Sequence, residues 1–374
     1  MSHKPLREGF TTGSAASAAA KAAATLLLTG QTCTCISIPL PPGQSPDLRL
    51  DIPIAELEQT QDGQAAWATV IKDGGDDPDA THGAAIRCRV AWSASVAPGE
   101  VGVEGGEGVG RVTRPGLPVA VGQPAINPAP RKQIEAALRE ALGESIRQTS
   151  CGLLATVCVP DGERLAAKTM NPRLGIVDGI SILGTRGTVK PFSHEAYQAT
   201  IREALDVARA DGLDVLACST GRGSERLLRA AKPKLPDLAF VQVADFYGFT
   251  LREAASRGFQ DLSWGCYFGK FVKMSQGLDN THAHAAPLDF EALAAALAAA
   301  GLPAAVVTAA RQANTARQVW GLVALHAQST KVLHTLGRQA VASAQALLPN
   351  SARCPRLSYY VFDFGGKLLG RFGE

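Results

Sequence analysis

The seven residues Ser219-Thr-Gly-Arg-Gly-Ser-Glu225 combine glycines, hydroxyls and a helix start. Backbone N–H groups at Ser219, Thr220, Gly221, Gly223 and Ser224 can therefore face an anion at the positive end of a helix dipole. The third glycine of a dinucleotide fingerprint is absent and Glu225 stands in the first turn, so the competing reading is a glycine turn with a serine cap. Asp245, about 20 residues on, is the one acidic residue placed to meet a ribose. Elsewhere, Asp73-Gly-Gly-Asp-Asp-Pro-Asp79 and His82 gather four carboxylates and an imidazole within ten residues. Such crowding is unfavourable unless a cation, a helix terminus or water compensates it. The spacing is not that of a calcium loop. Asx turns capping a short helix from Ala80 also account for it, with Asp77 and His82 left to face a substrate. His82 can exchange a proton near neutral pH, although a lone histidine is more often a structural donor. Thr11, Thr12, Gly13 and Ser14 set unpaired helix N–H groups beside hydroxyls, a second anion site. Arg111, Arg114 and Arg173 can clamp carboxylates through paired hydrogen bonds.

These residues need elements to hold them. Thr11 or Thr12 can cap a helix running to Leu28, with Gly30 as its left-handed stop. Its small residues at 15, 16, 18, 19 and 20 allow close approach to a flat partner, either another helix or the edge of a flat ring system. Alternating runs predict strands at Cys35–Ile38, Leu48–Ile52, Ala66–Ile71 and Ala85–Trp92. Prolines at 115, 118, 124, 128 and 130 make Arg111–Pro130 a long ordered loop before a helix at Arg131–Leu142. A hairpin formed by Leu153–Val159 and Arg164–Thr169 is expected to close this domain.

After Leu174 the rhythm becomes strand, loop, helix. Ile180–Leu183 leads to a helix at Ser193–Ala210, Asp214–Cys218 to the glycine turn, and Phe240–Val243 to Ala244–Thr250. Such alternation implies parallel crossovers and an open sheet, with ligands beyond the carboxyl ends of its strands. Alanine-rich helices over 289–348, broken at Gly301-Leu-Pro303, and a hairpin from Leu357 to Gly370 complete it. The expected organisation is an α+β domain over 1–174 and an α/β, Rossmann-like domain with a mostly parallel open sheet over 175–374.

At 374 residues, two cores are the expectation. Charged residues are 19% and apolar ones 46%, a soluble balance, and a net charge of +3 with mixed signs argues against a nucleic-acid partner. No apolar run approaches the roughly 18 residues of a membrane span and no secretory pattern opens the chain, so a cytoplasmic protein with no membrane partner is expected. The eight cysteines are scattered without a C-x-x-C pair, and Cys33 with Cys35 makes a poor zinc site, so no protein-bound metal is expected. A homo-oligomer remains open.

Four tracts carry a resemblance. Gly9-Phe-Thr-Thr-Gly-Ser14, Asp73 to Gly83, Gly108-Val-Gly-Arg-Val-Thr-Arg-Pro-Gly-Leu-Pro118 running on to Pro128, and Asn171-Pro-Arg-Leu-Gly-Ile-Val-Asp-Gly-Ile-Ser-Ile-Leu-Gly184 occur in the order found in the CbiD family. That family comprises the cobalt-precorrin-5B C-1 methyltransferases of corrin biosynthesis. The resemblance implies an S-adenosylmethionine-dependent enzyme that methylates C-1 of a cobalt-bound tetrapyrrole, giving cobalt-precorrin-6A. Lys270 and His282 match the Gly-His-x-Gly-Lys and Asn-Thr-His tracts of that family, whereas Cys266 and Tyr267 replace the Gly-His pair. Phe10 replaces the more usual tyrosine, and Asp178 stands where glycine is more common.

Methyl transfer from a sulfonium is an in-line displacement, so the enzyme mainly aligns carbon, methyl and sulfur. No activated nucleophile is required, and a base takes up only the proton lost afterwards. On this reading the donor lies on Ser219, Thr220, Gly221, Gly223, Ser224 and Asp245. The tetrapyrrole meets Thr11 to Ser14, Asp77, Arg111, Arg173 and Lys270, and His82 or His282 takes the proton. A pyridine-nucleotide-dependent tetrapyrrole reductase and a non-catalytic tetrapyrrole carrier are the rival readings.

Overall fold

A computed structural model describes residues 5–45, 47–143, 151–283, 287–350 and 353–373. The chain divides into two compact units, Met1–His194 and Glu195–Glu374.

The first unit opens with β1 (Gly9–Phe10) and α1 (Thr12–Thr29). Thr11 is the cap, its hydroxyl accepting from Ser14 N, and Gly30 ends the helix at φ 69°. A short antiparallel pair, β2 (Cys35–Pro39) and β3 (Arg49–Pro53), follows. Then come β4 (Glu56–Gln59), β5 (Ala65–Ile71), β6 (Ala85–Ser93), β7 (Val101–Gly105), β8 (Arg111–Val112), α2 (Pro128–Leu142) and β9 (Gly152–Cys158). The main sheet runs β4-β5-β6-β9-β7, antiparallel except between β7 and β9. Alanine explains how α1 fits: Ala15, Ala16, Ala18, Ala19 and Ala20 are fully buried where the helix packs on α2, β5 and β6. Its flat partners are thus a helix and a sheet, and the ring-edge alternative is overturned because those methyls have no exposed surface. Lys21, on the same helix, reaches out to Ser37 O at 2.8 Å and Glu140 Oε2 at 2.6 Å.

Several expectations need correction. The stretch Arg111–Pro130 is not all loop, because α2 begins at Pro128. Proline is tolerated there since the first helical N–H groups have no intrahelical acceptor anyway. The hairpin after β9 does not form. Instead Gly162–Ala166 is a short helix, α3, in which Leu165 and Ala166 are buried side by side. A strand would have sent those neighbours to opposite faces.

The unit boundary falls after His194 rather than after Leu174. The intervening chain belongs to the first unit: β10 (Ile176–Val177) pairs with β8, and β11 (Thr188–Val189) pairs with β1. Ile180 and Ile182 form only isolated bridges, to Val109 and Ile126, and are buried in the core of that unit. Three residues of opposite origin meet there. Gly108 has φ +67°, and a Cβ on Gly108, Gly162 or Gly179 would overlap the backbone of Val159 or of Gly108 itself.

Asp178 adopts φ 62°, a left-handed conformation that costs an L-residue roughly 1–2 kcal/mol. Asp178→Gly is therefore expected to stabilise the protein by about 1 kcal/mol. The check is a higher urea midpoint at unchanged slope; a lower midpoint would mean that the aspartate side chain holds the turn.

The second unit begins with α4 (His194–Ala210), which starts within one residue of its boundary. Next come β12 (Val215–Ser219), α5 (Arg222–Ala231), β13 (Phe240–Gln242), α6 (Tyr247–Ser256), β14 (Asp261–Tyr267) and α7 (Phe268–Ser275). Four helices follow, α8 (Phe290–Ala299), α9 (Ala304–Arg311), α10 (Ala316–Val323) and α11 (Ser329–Leu347), then β15 (Arg356–Phe362) and β16 (Leu368–Gly373). The sheet order is β13-β12-β14-β15-β16, with β13 to β15 mutually parallel and β16 antiparallel at the edge. The sheet is open and mostly parallel and ends in the expected hairpin, but Ile180–Leu183 is not one of its strands and β14, in its middle, was not among the strands expected.

Candidate functional site

Chain order fixes where the second unit can hold a ligand. From β12 the chain crosses to β13 on one side and then to β14 on the other, so the connections diverge at the carboxyl ends of β12 and β14. Such a switch point leaves a crevice between neighbouring loops. Here one wall is the turn after Ser219 and the other is Tyr267. Ser219 is fully buried, Thr220 and Ser224 hydroxyls lie 3.3 Å apart, and Ser224 Oγ donates to Gly221 O at 3.0 Å. Gly221 is extended, φ 163°, with nothing within 4 Å of where a Cβ would be. Gly223 differs: a Cβ there would stand 2.9 Å from the Tyr267 hydroxyl. Its backbone is not left-handed, so glycine is needed for space, not for conformation.

Glu225 is spoken for. Its buried carboxylate accepts from Arg229 Nε at 2.8 Å and from Gln242 Nε2. Nearby, burial and then the charges of Asp245 and Glu225 push the Tyr197 phenol up. Asp245 does not await a ribose: it is paired with Lys270 and accepts from Thr281 Oγ1 at 2.9 Å. Lys270 and Lys273 both donate to Thr281 O, at 2.9 and 3.1 Å, which ties the Asn280-Thr-His282 tract to the loop after β13. Ala244, just before Asp245, is left-handed at φ 47°. Lys270, which the sequence had assigned to substrate, is thus bonded within the second unit. His282 is exposed, with its backbone N–H donating to Asn280 Oδ1 at 2.8 Å and its carbonyl accepting from Lys273. Cys218 and Cys266 are fully buried, which pushes both thiols up to about 12, so neither is a nucleophile at neutral pH.

In the first unit the sequence-predicted anion site at the start of α1 is closed. Gly13 N donates to Leu183 O at 3.2 Å, Ser14 N to Thr11 Oγ1 at 3.2 Å, and Ala15 N to Thr11 O at 3.0 Å. Thr12 Oγ1 accepts from Leu183 N at 2.9 Å, and Ser14 Oγ donates to Gly187 O at 2.8 Å. All three hydroxyl residues are buried. Thr11 to Ser14 therefore moor the segment 183–187; hydroxyls drawn as ligands from the sequence are satisfied by a chain about 170 residues away.

The acidic tract resolves into separate, compensated carboxylates. Asp73 pairs with Arg7, whose hydrogen bond holds its pKa down at about 2, and Asp76 Oδ2 accepts from Arg7 N at 2.7 Å. Asp77 Oδ1 accepts from Phe192 N at 2.9 Å. Asp79 meets buried Lys72 at 2.6 Å; burial opposes its charge, but Lys72 and Thr81 hold its carboxyl below the usual range. The Asx turns are present at Asp73 and Asp79, while the short helix from Ala80 is absent and a turn replaces it. His82 is exposed, and its Nδ1 accepts from Gly74 N at 3.0 Å, which leaves Nε2 as the nitrogen that faces outward. Among the described residues no group of three or more His, Cys, Asp or Glu side chains could hold a metal ion.

Arg111 donates to Gly122 O and borders a groove of about 670 Å³ with Arg131, Lys132, Pro118, Pro124 and Pro128. Arg131 is braced by Val103 O at 2.6 Å. Arg173 does not line this groove and sits in a 3-10 turn over Asn171–Leu174. A second cavity, about 400 Å³ among Ser275, Gln276, Asp289, Leu336 and Ser343, contains none of the residues singled out from the sequence. Sequence reading missed Arg131, Lys132, Phe364 and Arg317. Phe364 lies parallel to Tyr267, ring centroids 5.9 Å apart at 4°, and Arg317 sits 5.0 Å over its ring. An aromatic residue in the Asp-x-Gly-Gly turn after β15 was the available signal. No helix among the described residues is long and apolar enough to cross a membrane.

Residues 1–191 match the family described as CbiD, and residues 280–373 match that described as CbiD, C-terminal domain. A protein of Nitratidesulfovibrio vulgaris named cobalt-precorrin-5B C(1)-methyltransferase is 50% identical over 342 residues, spanning 91% of this chain and 87% of that one. A protein of Geobacillus kaustophilus with the same name is 46% identical over 370 residues, 98% and 95% of the two chains. A crystal structure of the cobalamin biosynthesis protein CbiD from Archaeoglobus fulgidus is 27% identical, covers 72% of this chain and 79% of its own, and aligns with a TM-score of 0.38.

Proposed function

The chain belongs to the CbiD family, and on that premise we propose that it is a C-methyltransferase acting at C-1 of cobalt-precorrin-5B. Relatives bearing that activity in their names align over nearly its whole length. We further assign S-adenosylmethionine as the donor, bound at the carboxyl ends of β12 and β14 in a Rossmann-like manner. The observation that carries this is the open turn at Gly221, which leaves room for a ligand against the start of α5. The same turn offers Thr220 and Ser224 hydroxyls and the positive end of a ten-residue helix to a carboxylate.

S-adenosylmethionine supplies an electrophilic methyl group. The protein needs only to align it with the ring carbon, exclude water and accept one proton later. Its buried thiols and its compensated carboxylates fit that modest demand, since none is poised as a nucleophile. For the acidic tetrapyrrole, the groove offers Arg111, Arg131 and Lys132 against two carboxylates, Glu104 and Glu135, on a wall stiffened by prolines. His82, through its outward Nε2, is the better placed proton acceptor on local grounds.

A nucleotide-dependent reductase is disfavoured because Asp245, the residue it would set on a ribose, is taken by Lys270 and Thr281. The expected calorimetric result is a clear binding isotherm for S-adenosylhomocysteine and none for NADPH. Micromolar NADPH affinity without S-adenosylhomocysteine heat would sink the donor assignment. A tetrapyrrole carrier would bind neither.

A further inference from the structure

We propose that Tyr267 and Phe364 form the shelf on which the purine ring of the donor stacks. The proposal rests on the donor lying in the second unit and goes on to name the surface that recognises its base. In this unit Trp264, Tyr247, Tyr359, Phe268, Phe271 and Phe362 are essentially fully buried, and Tyr197, 37% exposed, is stacked on Phe246. Phe364 is 45% exposed, an apolar ring left in water on a structured turn. The turn is rigid, because Asp363 Oδ1 accepts from both Gly365 N at 2.9 Å and Lys367 N at 2.8 Å. It also lies against α5, since a Cβ on Gly366 would come within 3.3 Å of Leu227.

The ring is therefore held in one place and one orientation, parallel to Tyr267. Tyr267 in turn reaches with its hydroxyl toward Gly223. Neighbouring carboxyl ends, β12, β14 and β15, thus present the glycine turn, a phenol ring and a phenyl ring in sequence. The two rings stack in parallel, and a flat base would extend that stack. The Arg317 guanidinium lies over the Phe364 ring, 5.0 Å from its centroid, and brings positive charge to the same ring.

The test is calorimetric titration of the full-length protein with S-adenosylhomocysteine and, separately, with adenosine. Phe364→Ala and Phe364→Leu are each expected to lose about tenfold in affinity for both, the scale of one base-to-ring stack. Phe364→Tyr is expected to retain binding, since it restores a π face. Thermal melts establish that each variant is folded; the leucine variant keeps apolar bulk and guards against collapse of the turn. Unchanged affinities in the two truncated variants, with wild-type protein binding normally, would overturn the shelf alone. Absence of binding by wild-type protein would overturn the donor assignment and the shelf together. A third arm uses uroporphyrin as a flat, carboxylate-bearing macrocycle. Loss of that ligand in Phe364→Ala, with S-adenosylhomocysteine unaffected, would assign the shelf to the macrocycle and refute the purine.

Discussion

Gly108→Ala is expected to destabilise the first unit by on the order of 4 kcal/mol, combining a left-handed penalty with overpacking that cannot relax. At φ +67° the residue already excludes most side chains, and its Cβ would enter the space of the Val159 carbonyl. The neighbours cannot yield. Gly162 and Gly179 press on the carbonyl of Gly108, and that same oxygen accepts from Ile180 N at 3.0 Å. These are backbone atoms, not the ends of flexible side chains. Because total stability is typically 5–15 kcal/mol, such a loss should appear as a large drop in urea midpoint and in soluble yield. Gly122→Ala is the control: φ is +85° but nothing lies within 4 Å, so about 1 kcal/mol is expected. Equal effects in the two variants would show that backbone conformation, and not the meeting of three chains, makes glycine necessary at position 108.

Gly223→Val is expected to weaken S-adenosylhomocysteine binding on the order of 30-fold, equivalent to about 2 kcal/mol, while the protein stays folded. Position 223 is the second residue of α5, is exposed, and has ordinary helical space for a side chain except toward Tyr267. Valine would displace the phenol at 2.9 Å and with it the parallel Phe364 ring. The crevice would be remodelled without any change to the sheet beneath it. Melting temperature and affinity must both be read. A collapse of melting temperature with normal affinity in the folded fraction would assign the glycine to packing, and normal values of both would remove it from the donor site.

How much of this could be read from residue order depends on the range of the interactions. Thr11 capping α1, Gly30 ending it and the Asx turns at Asp73 and Asp79 involve groups a few residues apart. Spacing alone was enough for them. The two units from Asp214 to Ser256, each a strand followed by a turn and a helix, were legible for the same reason, and right-handed parallel crossovers then place their loops at one end of the sheet, whereas β14 between them and β15 was not read from the sequence. The glycine turn at 219–225 was found this way, at the edge where a ligand is expected.

Chemistry that depends on distant partners was not legible. Thr12 and Ser14 looked like an open anion site because nothing local satisfies them; Leu183 and Gly187 do so in the folded chain. Asp245 had the position of a ribose acceptor, yet Lys270 arrives from α7 and Thr281 from the segment after it, and both bond to it. Ile180–Leu183 had a strand's composition, but its buried isoleucines dock in the first unit, which carried the boundary on to His194. The sequence by itself determined the family, the cap and stop of α1 and the parallel strand-loop-helix units at β12 and β13, since each is written in tracts whose neighbours are local or whose crossover hand is fixed by chirality. Only the tertiary structure decided which hydroxyls and carboxylates remain available and which rings face water. A polar group is spent or spare according to the chain that folds against it, and that chain is remote: Phe364 comes to lie beside Tyr267 through the pairing of β14 with β15.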